Sequence, residues 1–106
     1  MIAIRKHSVH HRTSVREKLI DDLTREGILV LDARRLVNAS IRSIDAADAA
    51  CGIDSRISWT APYDTYPSAY YSVILSRVYR VSWHWIKDHR PYAPYKNILA
   101  KKAGQL

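Results

Sequence analysis

The chain has 106 residues, 47% of them apolar and a quarter charged, which suits one domain with a single core and argues against wholesale disorder. No apolar run approaches the ~18 residues needed to cross a bilayer, and a single cysteine, Cys51, allows no internal disulfide framework. Charge is what departs from the ordinary: 17 Lys and Arg stand against 10 Asp and Glu, a formal +7.

That charge is unevenly placed. Residues 1–18 carry five bases and one acid, net +4; residues 19–55 carry four bases and seven acids, net −3. Residues 56–106 carry eight bases and two acids, net +6. A basic start and a basic second half thus flank a mildly acidic middle, a pattern that suits polyanions better than neutral ligands. Residues 1–13 read as a basic N-terminal arm, since Arg5, Lys6 and Arg12 occur there with three histidines and no acid. Such arms follow phosphates and add affinity that falls steeply with salt. No continuous apolar stretch follows these charges, so no secretory leader is expected and the setting reads as cytoplasmic.

Ser14-Val15-Arg16-Glu17 has the S-x-x-E form in which Ser and Glu each satisfy the other's backbone N–H at a helix start. Val15, Leu19, Ile20 and Leu23 then recur at helical spacing, and Gly27 stands where a left-handed residue closes a helix. A first helix is predicted over 15–26. Ile28-Leu29-Val30-Leu31 is short and β-prone, compatible with a buried strand or a connector. Asp32 is a good N-cap, with Leu31 and Leu36 placed to staple the entry. Leu36, Val37, Ile41, Ile44 and Ala47 continue on one face until Gly52. The second helix should span 33–51, with Ala46, Ala47, Ala49 and Ala50 allowing a neighbour to approach closely. Cys51 reads as a small buried apolar residue.

Residues 53–67 are turn-rich and carry Trp59, Tyr63 and Tyr66 as aromatic anchors; Pro67 suits a helix's first turn. The segment 68–89 is the deciding one. Its Tyr, Val, Ile and Trp content favours strand, yet some 20 residues without Gly, Pro or Asn are too long for one strand and offer no hairpin turn. On a helical wheel Tyr70, Tyr71, Ile74, Leu75, Val78, Val81, Trp85 and Ile86 sort to one half. Ser72, Ser76, Arg77, Arg80, His84 and Lys87 sort to the other, with Val73 and Trp83 as misfits. Length decides for one long helix. Pro91 and Pro94 break the chain after it, and 95–103 make a short final helix whose Lys101 and Lys102 suit the dipole. The expected fold is all-α, a small bundle of three to four helices in a single domain over 1–106. The runner-up is α+β, with a short sheet from 28–31 and 70–86.

On a helical 68–89, Arg77, Arg80, His84 and Lys87 share a solvent face with Trp83 at its edge. Cations that hold phosphates beside an indole that stacks on a base are what single-stranded nucleic-acid binding uses. Tyr79 and Trp59 are further candidates for stacking. The expectation is a small basic, non-enzymatic nucleic-acid-binding accessory protein that uses Arg77, Arg80, Trp83, His84 and Lys87 together with Arg5, Lys6 and Arg12. Its partner would be nucleic acid, single-stranded in preference, or a nucleoprotein complex, with no membrane contact.

The competing expectation is an adaptor or inhibitor that docks on a protein or a nucleic-acid-processing complex, in the manner of phage or plasmid anti-defence proteins. Its epitope would be Trp59, Tyr63 and Tyr66, residue types that dominate interface hot spots. A third is a helix-turn-helix over 46–59, with Arg56 and Ser58 reading bases, although Asp48 and Pro62 fit that motif poorly. Arg77 with His84 resembles the R-x4-6-H motif of small all-helical HEPN ribonucleases, which implies a His base and an Arg that stabilises phosphate charge; Val78 stands where that family usually has a polar residue. No metal or cofactor is expected. His7, His10, His11, His84 and His89 lack accompanying Cys or carboxylate ligands, and three isolated glycines make no phosphate loop.

Overall fold

The computed structural model describes residues 13–53 and 56–104. Four α-helices, α1 (Val15–Arg25), α2 (Val30–Ala50), α3 (Ser68–Ile86) and α4 (Lys96–Lys102), are joined with two 3-10 turns at Tyr63–Thr65 and Arg90–Tyr95. The described residues form no strand; an isolated antiparallel bridge pairs Ser14 with Pro62. The all-α expectation therefore holds, and residues 28–31 and 70–86 make no sheet. Helix α2 packs on α1 and α3, and α3 packs on α4, around one core that includes Leu19, Leu23, Leu36, Ile74, Val78 and Leu99. Among the described residues no helix is long and apolar enough to cross a membrane.

Helix α1 begins where its sequence predicts, with the Ser14 half of the reciprocal cap formed, while the Glu17 carboxylate turns to Arg16 and Arg34. Ser14 Oγ accepts the Glu17 N–H at 3.1 Å. The next free donors are satisfied from a distance: Val15 N–H donates to the Ala61 carbonyl (2.9 Å) and Arg16 N–H to that of Trp59 (3.0 Å). Tyr63 N–H donates to the Thr13 carbonyl at 2.8 Å. The 59–63 segment is thus held along the entry to α1, and Thr13, placed in the arm by sequence, belongs to the folded body. At the other end Gly27 takes φ +107°, and the N–H groups of Gly27 and Ile28 reach back to Thr24 and Leu23. Buried Ile28 and Leu23 complete this left-handed stop.

The second helix differs from its prediction at its start and in where it meets its neighbour. It starts at Val30, and its N-cap is Leu29, not Asp32. The reason lies 66 residues away: the Tyr95 hydroxyl accepts the Leu29 N–H at 3.4 Å and donates to the Asp32 carboxylate. A tertiary partner does what a local cap would have done. Leu31 is left 70% exposed and staples nothing; buried Ile28 and Ala33 occupy the corresponding positions instead. Ala46, Ala47, Ala49 and Ala50 are exposed, as is Cys51. Close approach of α2 to α3 occurs earlier, at Ser40 and Ser82, both fully buried, whose hydroxyls lie 3.2 Å apart while Ser40 also reaches the Val78 carbonyl. Gly52 does end the helix, at φ +72°. The described residues between it and Tyr63 hold no helix, so the helix-turn-helix expected over 46–59 is not formed.

Candidate functional site

The C-terminal half of α3 and the turn that follows it gather the cations and aromatic rings. Helix α3 buries Tyr71, Ile74, Val78, Tyr79, Ser82 and Ile86. These lie at steps of one, three or four, so the residues between them are presented outward. Arg80, His84 and Lys87 are exposed and Trp83 is half-buried. The Lys87 ammonium sits over the Trp83 ring, 5.0 Å from its centre. The 90–95 turn then folds back and brings in two cations that sequence reading passed over. Arg90 and Lys96 join Trp83, Ile86, Lys87 and Ala93 around a groove of about 460 Å³. Their signal was present, within ten residues of Lys87. Pro91 and Pro94, read as a break, instead wind a compact 3-10 helix that turns Lys96 toward Lys87.

This turn is held rigidly. Trp85 stacks on His89 with ring centres 3.5 Å apart and planes 7° apart, and also on Tyr92 at 5.0 Å. His89 Nδ1 lies 2.7 Å from the Trp85 carbonyl, the helix's own last-turn acceptor.

Two expectations need correction. Arg77 is not a free phosphate contact: its guanidinium is bidentate on Asp48, at 3.0 and 3.3 Å, across the α2–α3 contact. Asp48 is buried in the last turn of α2 and would be costly to leave unpaired. The Arg of the HEPN-like pair is therefore already neutralised, while His84 stands exposed two turns further on. Secondly, Trp59 faces inward, and Tyr63 and Tyr66 are partly buried against the core. Trp59 is 9% exposed and donates through Nε1 to Asp45 at 2.9 Å. The Tyr66 hydroxyl accepts the Ser58 N–H, and Tyr63 packs edge-on against Tyr71 beneath the Lys18 ammonium. Tyr79 is buried too, so neither it nor Trp59 can stack on a base. Arg56 is exposed. Arg5, Lys6 and Arg12, with His7, His10 and His11, lie outside the described residues. Among the described residues no group of His, Cys, Asp and Glu could hold a metal ion.

Counter-charge separates the two sides of the molecule. On α1 and α2 the acids are engaged: Glu17 with Arg16 and Arg34, Asp21 with Arg25, Asp22 with Lys18, Glu26 with Lys102, Asp48 with Arg77. Asp32 and Asp45 hold Tyr95 and Trp59. Arg80, Lys87, Arg90 and Lys96 make no ion pair among the described residues, and Asp88 is the one acid in the sequence from 65 onward. No protein-family model, curated protein or solved structure matches the chain.

Proposed function

We propose that the chain is a non-enzymatic accessory protein, cytoplasmic in setting, that binds single-stranded nucleic acid along the Trp83 groove. The reading is carried by one observation: Lys87, Arg90 and Lys96, none with an acidic partner among the described residues, surround a partly buried indole. Arg80 and His84 extend the cationic track along α3. Lys87 now covers the indole, a contact worth about 0.5–1 kcal/mol at an exposed site. A stacked base contributes about 1–3 kcal/mol. A base therefore displaces the ammonium and frees it for a neighbouring phosphate.

The test is titration of labelled single-stranded and duplex oligonucleotides over a range of salt. Affinity should fall linearly in a log–log plot, and replacing Lys87, Arg90 and Lys96 together with Ala should lower the slope by about 2 for a single strand. Trp83→Ala should weaken single-strand binding roughly 5- to 100-fold with the slope unchanged. Absence of binding at ~50 mM salt rejects the reading.

A second reading, an adaptor or inhibitor that docks on a protein complex, is favoured by a different patch from the one expected. Leu29, Val30 and Leu31, at 70%, 49% and 70% exposure, form a contiguous apolar step at the start of α2. Binding to an intact complex that is lost on Leu29→Ser with Leu31→Ser, while oligonucleotide binding is absent, would favour it.

A further inference from the structure

A second cleft, of about 390 Å³, lies between α2 and the end of α3, lined by Arg35, Asn38, Arg42, Trp85, His89 and Tyr92. It shares no residue with the Trp83 groove. Arg35, Asn38 and Arg42 fall three and four apart, on one stripe of α2. Arg16 Nε donates to the Asn38 side chain at 2.8 Å. A guanidinium nitrogen can only donate, so the atom it meets is the amide oxygen, and the Asn38 NH₂ keeps both of its donors. Arg35 is steadied by the Tyr92 hydroxyl at 3.5 Å, while Arg42 is exposed with no ion pair among the described residues. His89 Nδ1 faces a carbonyl that can only accept, so Nδ1 carries a proton. Among the described residues no Asp or Glu lines the cleft.

A donor-rich, acid-free cleft walled by stacked flat rings calls for an anion attached to a planar group. We propose that it binds a phosphate monoester carried by a nucleobase, either the 5′-phosphorylated end of a strand or a free mononucleotide. Two guanidinium groups and an amide NH₂ offer more donors than the two non-bridging oxygens of a phosphodiester can accept. A monoester presents three terminal oxygens and a charge of about −1.5 to −2, and arginine meets it bidentately. The volume falls within the ~300–1,000 Å³ range of small-molecule sites and holds one nucleotide, not a run of them. The partly exposed His89 and Trp85 rings, stacked on each other, form one wall of the cleft.

The test compares AMP with adenosine, and a short 5′-phosphorylated oligonucleotide with its 5′-hydroxyl counterpart, by calorimetric titration of the full chain. AMP should bind at least about tenfold tighter than adenosine, the gain expected of charge-assisted hydrogen bonds. Arg42→Gln, a change at an exposed position that leaves the fold intact, should erase most of that preference. Lys101→Ala, at an exposed position outside both grooves, should leave it unchanged. If the 5′-phosphorylated strand is also preferred and Arg42→Gln abolishes the difference, the ligand is a strand end. If AMP is bound but the two strands are equal, the ligand is a free mononucleotide. AMP binding without any strand binding would sink the Trp83 reading and keep this one. Equal weakness for AMP and adenosine, with no preference between strand ends, overturns it.

Discussion

The segments 59–66 and 83–96 are both rich in Trp and Tyr, and by sequence either could be a recognition surface. In the first, rings and polar tips are occupied by the protein itself. Trp59 has Asp45, Tyr66 has the Ser58 N–H, and Tyr63 lies between Tyr71 and a lysine that is itself paired with Asp22. In the second, Tyr92 and Tyr95 are buried and Trp85 is stacked on His89 and Tyr92, but partly buried Trp83 lies beside Lys87, Arg90 and Lys96, which have no acidic partner among the described residues. Aromatic content alone marks neither a core nor a surface. What separates the two regions is whether acids and backbone donors lie within reach, and here the acids are concentrated on α1 and α2. A partner rich in phosphate would supply the counter-charge the 83–96 end lacks, and it would find none missing at 59–66.

The contrast is broken or sharpened most strongly by the two tryptophans. Trp59→Ala should cost about 3–5 kcal/mol, because it opens a cavity beside the entry to α1 and orphans Asp45. Trp83→Ala, at a half-exposed position, should cost roughly 1 kcal/mol. Urea denaturation followed by circular dichroism measures both, and equal costs would remove the distinction between an inward and an outward aromatic segment. The two arginines of α3 come next. Arg77→Ala strands the buried Asp48 carboxylate and should cost about 3 kcal/mol. Arg80→Ala, three residues on and exposed, should stay within about 0.5 kcal/mol of the parent. A loss of oligonucleotide binding in an Arg77 variant would then report on folding, so Arg80 is the cleaner probe of the track.

Much of this arrangement was legible in the sequence where a local rule governs it. Ser14 caps α1 and Gly27 and Gly52 end their helices because capping and left-handed stops depend on neighbours within a few positions. Residues 68–86 form a helix despite their β-prone composition, since their length and lack of a turn outweigh propensity. What escaped is tertiary. The start of α2 is set by a tyrosine hydroxyl 66 residues away, which no local pattern announces. Ser40 and Ser82, polar residues that no local pattern marks for burial, pair with each other at a close helix crossing, where small side chains are needed. Asp48 has the charge of a surface residue and lies buried because Arg77 reaches it. The site shows the same division. Lys87 and Trp83 could be placed on one helix, but Arg90 and Lys96 join them only through the way a proline-containing turn folds back.

A smaller effect than that of Trp59 or Arg77 concerns Tyr71, which ties α3 to α1. Its hydroxyl donates to Asp22 at 2.7 Å, and burial, followed by that hydrogen bond, pushes its pKa well above the ordinary value of 10.0. The folded chain therefore holds this proton more tightly than the unfolded chain does. The stabilisation is complete below about pH 10, where both states are protonated. It is lost as pH rises beyond that point, because the unfolded tyrosine ionises while the folded one does not. Tyr71→Phe keeps the ring and removes the proton, and Asp22 retains Lys18 at 3.0 Å, so the cost near neutrality should be only about 1 kcal/mol. Above about pH 10 the parent should lose stability faster than the variant and the gap between them should close. Tyr79 and Tyr95, whose pKa values burial also raises, keep part of the alkaline slope in both proteins. Urea midpoints of parent and variant, measured between about pH 8 and pH 11, decide the matter: a gap that stays constant across that range would mean that the Tyr71 proton is not what joins α3 to Asp22.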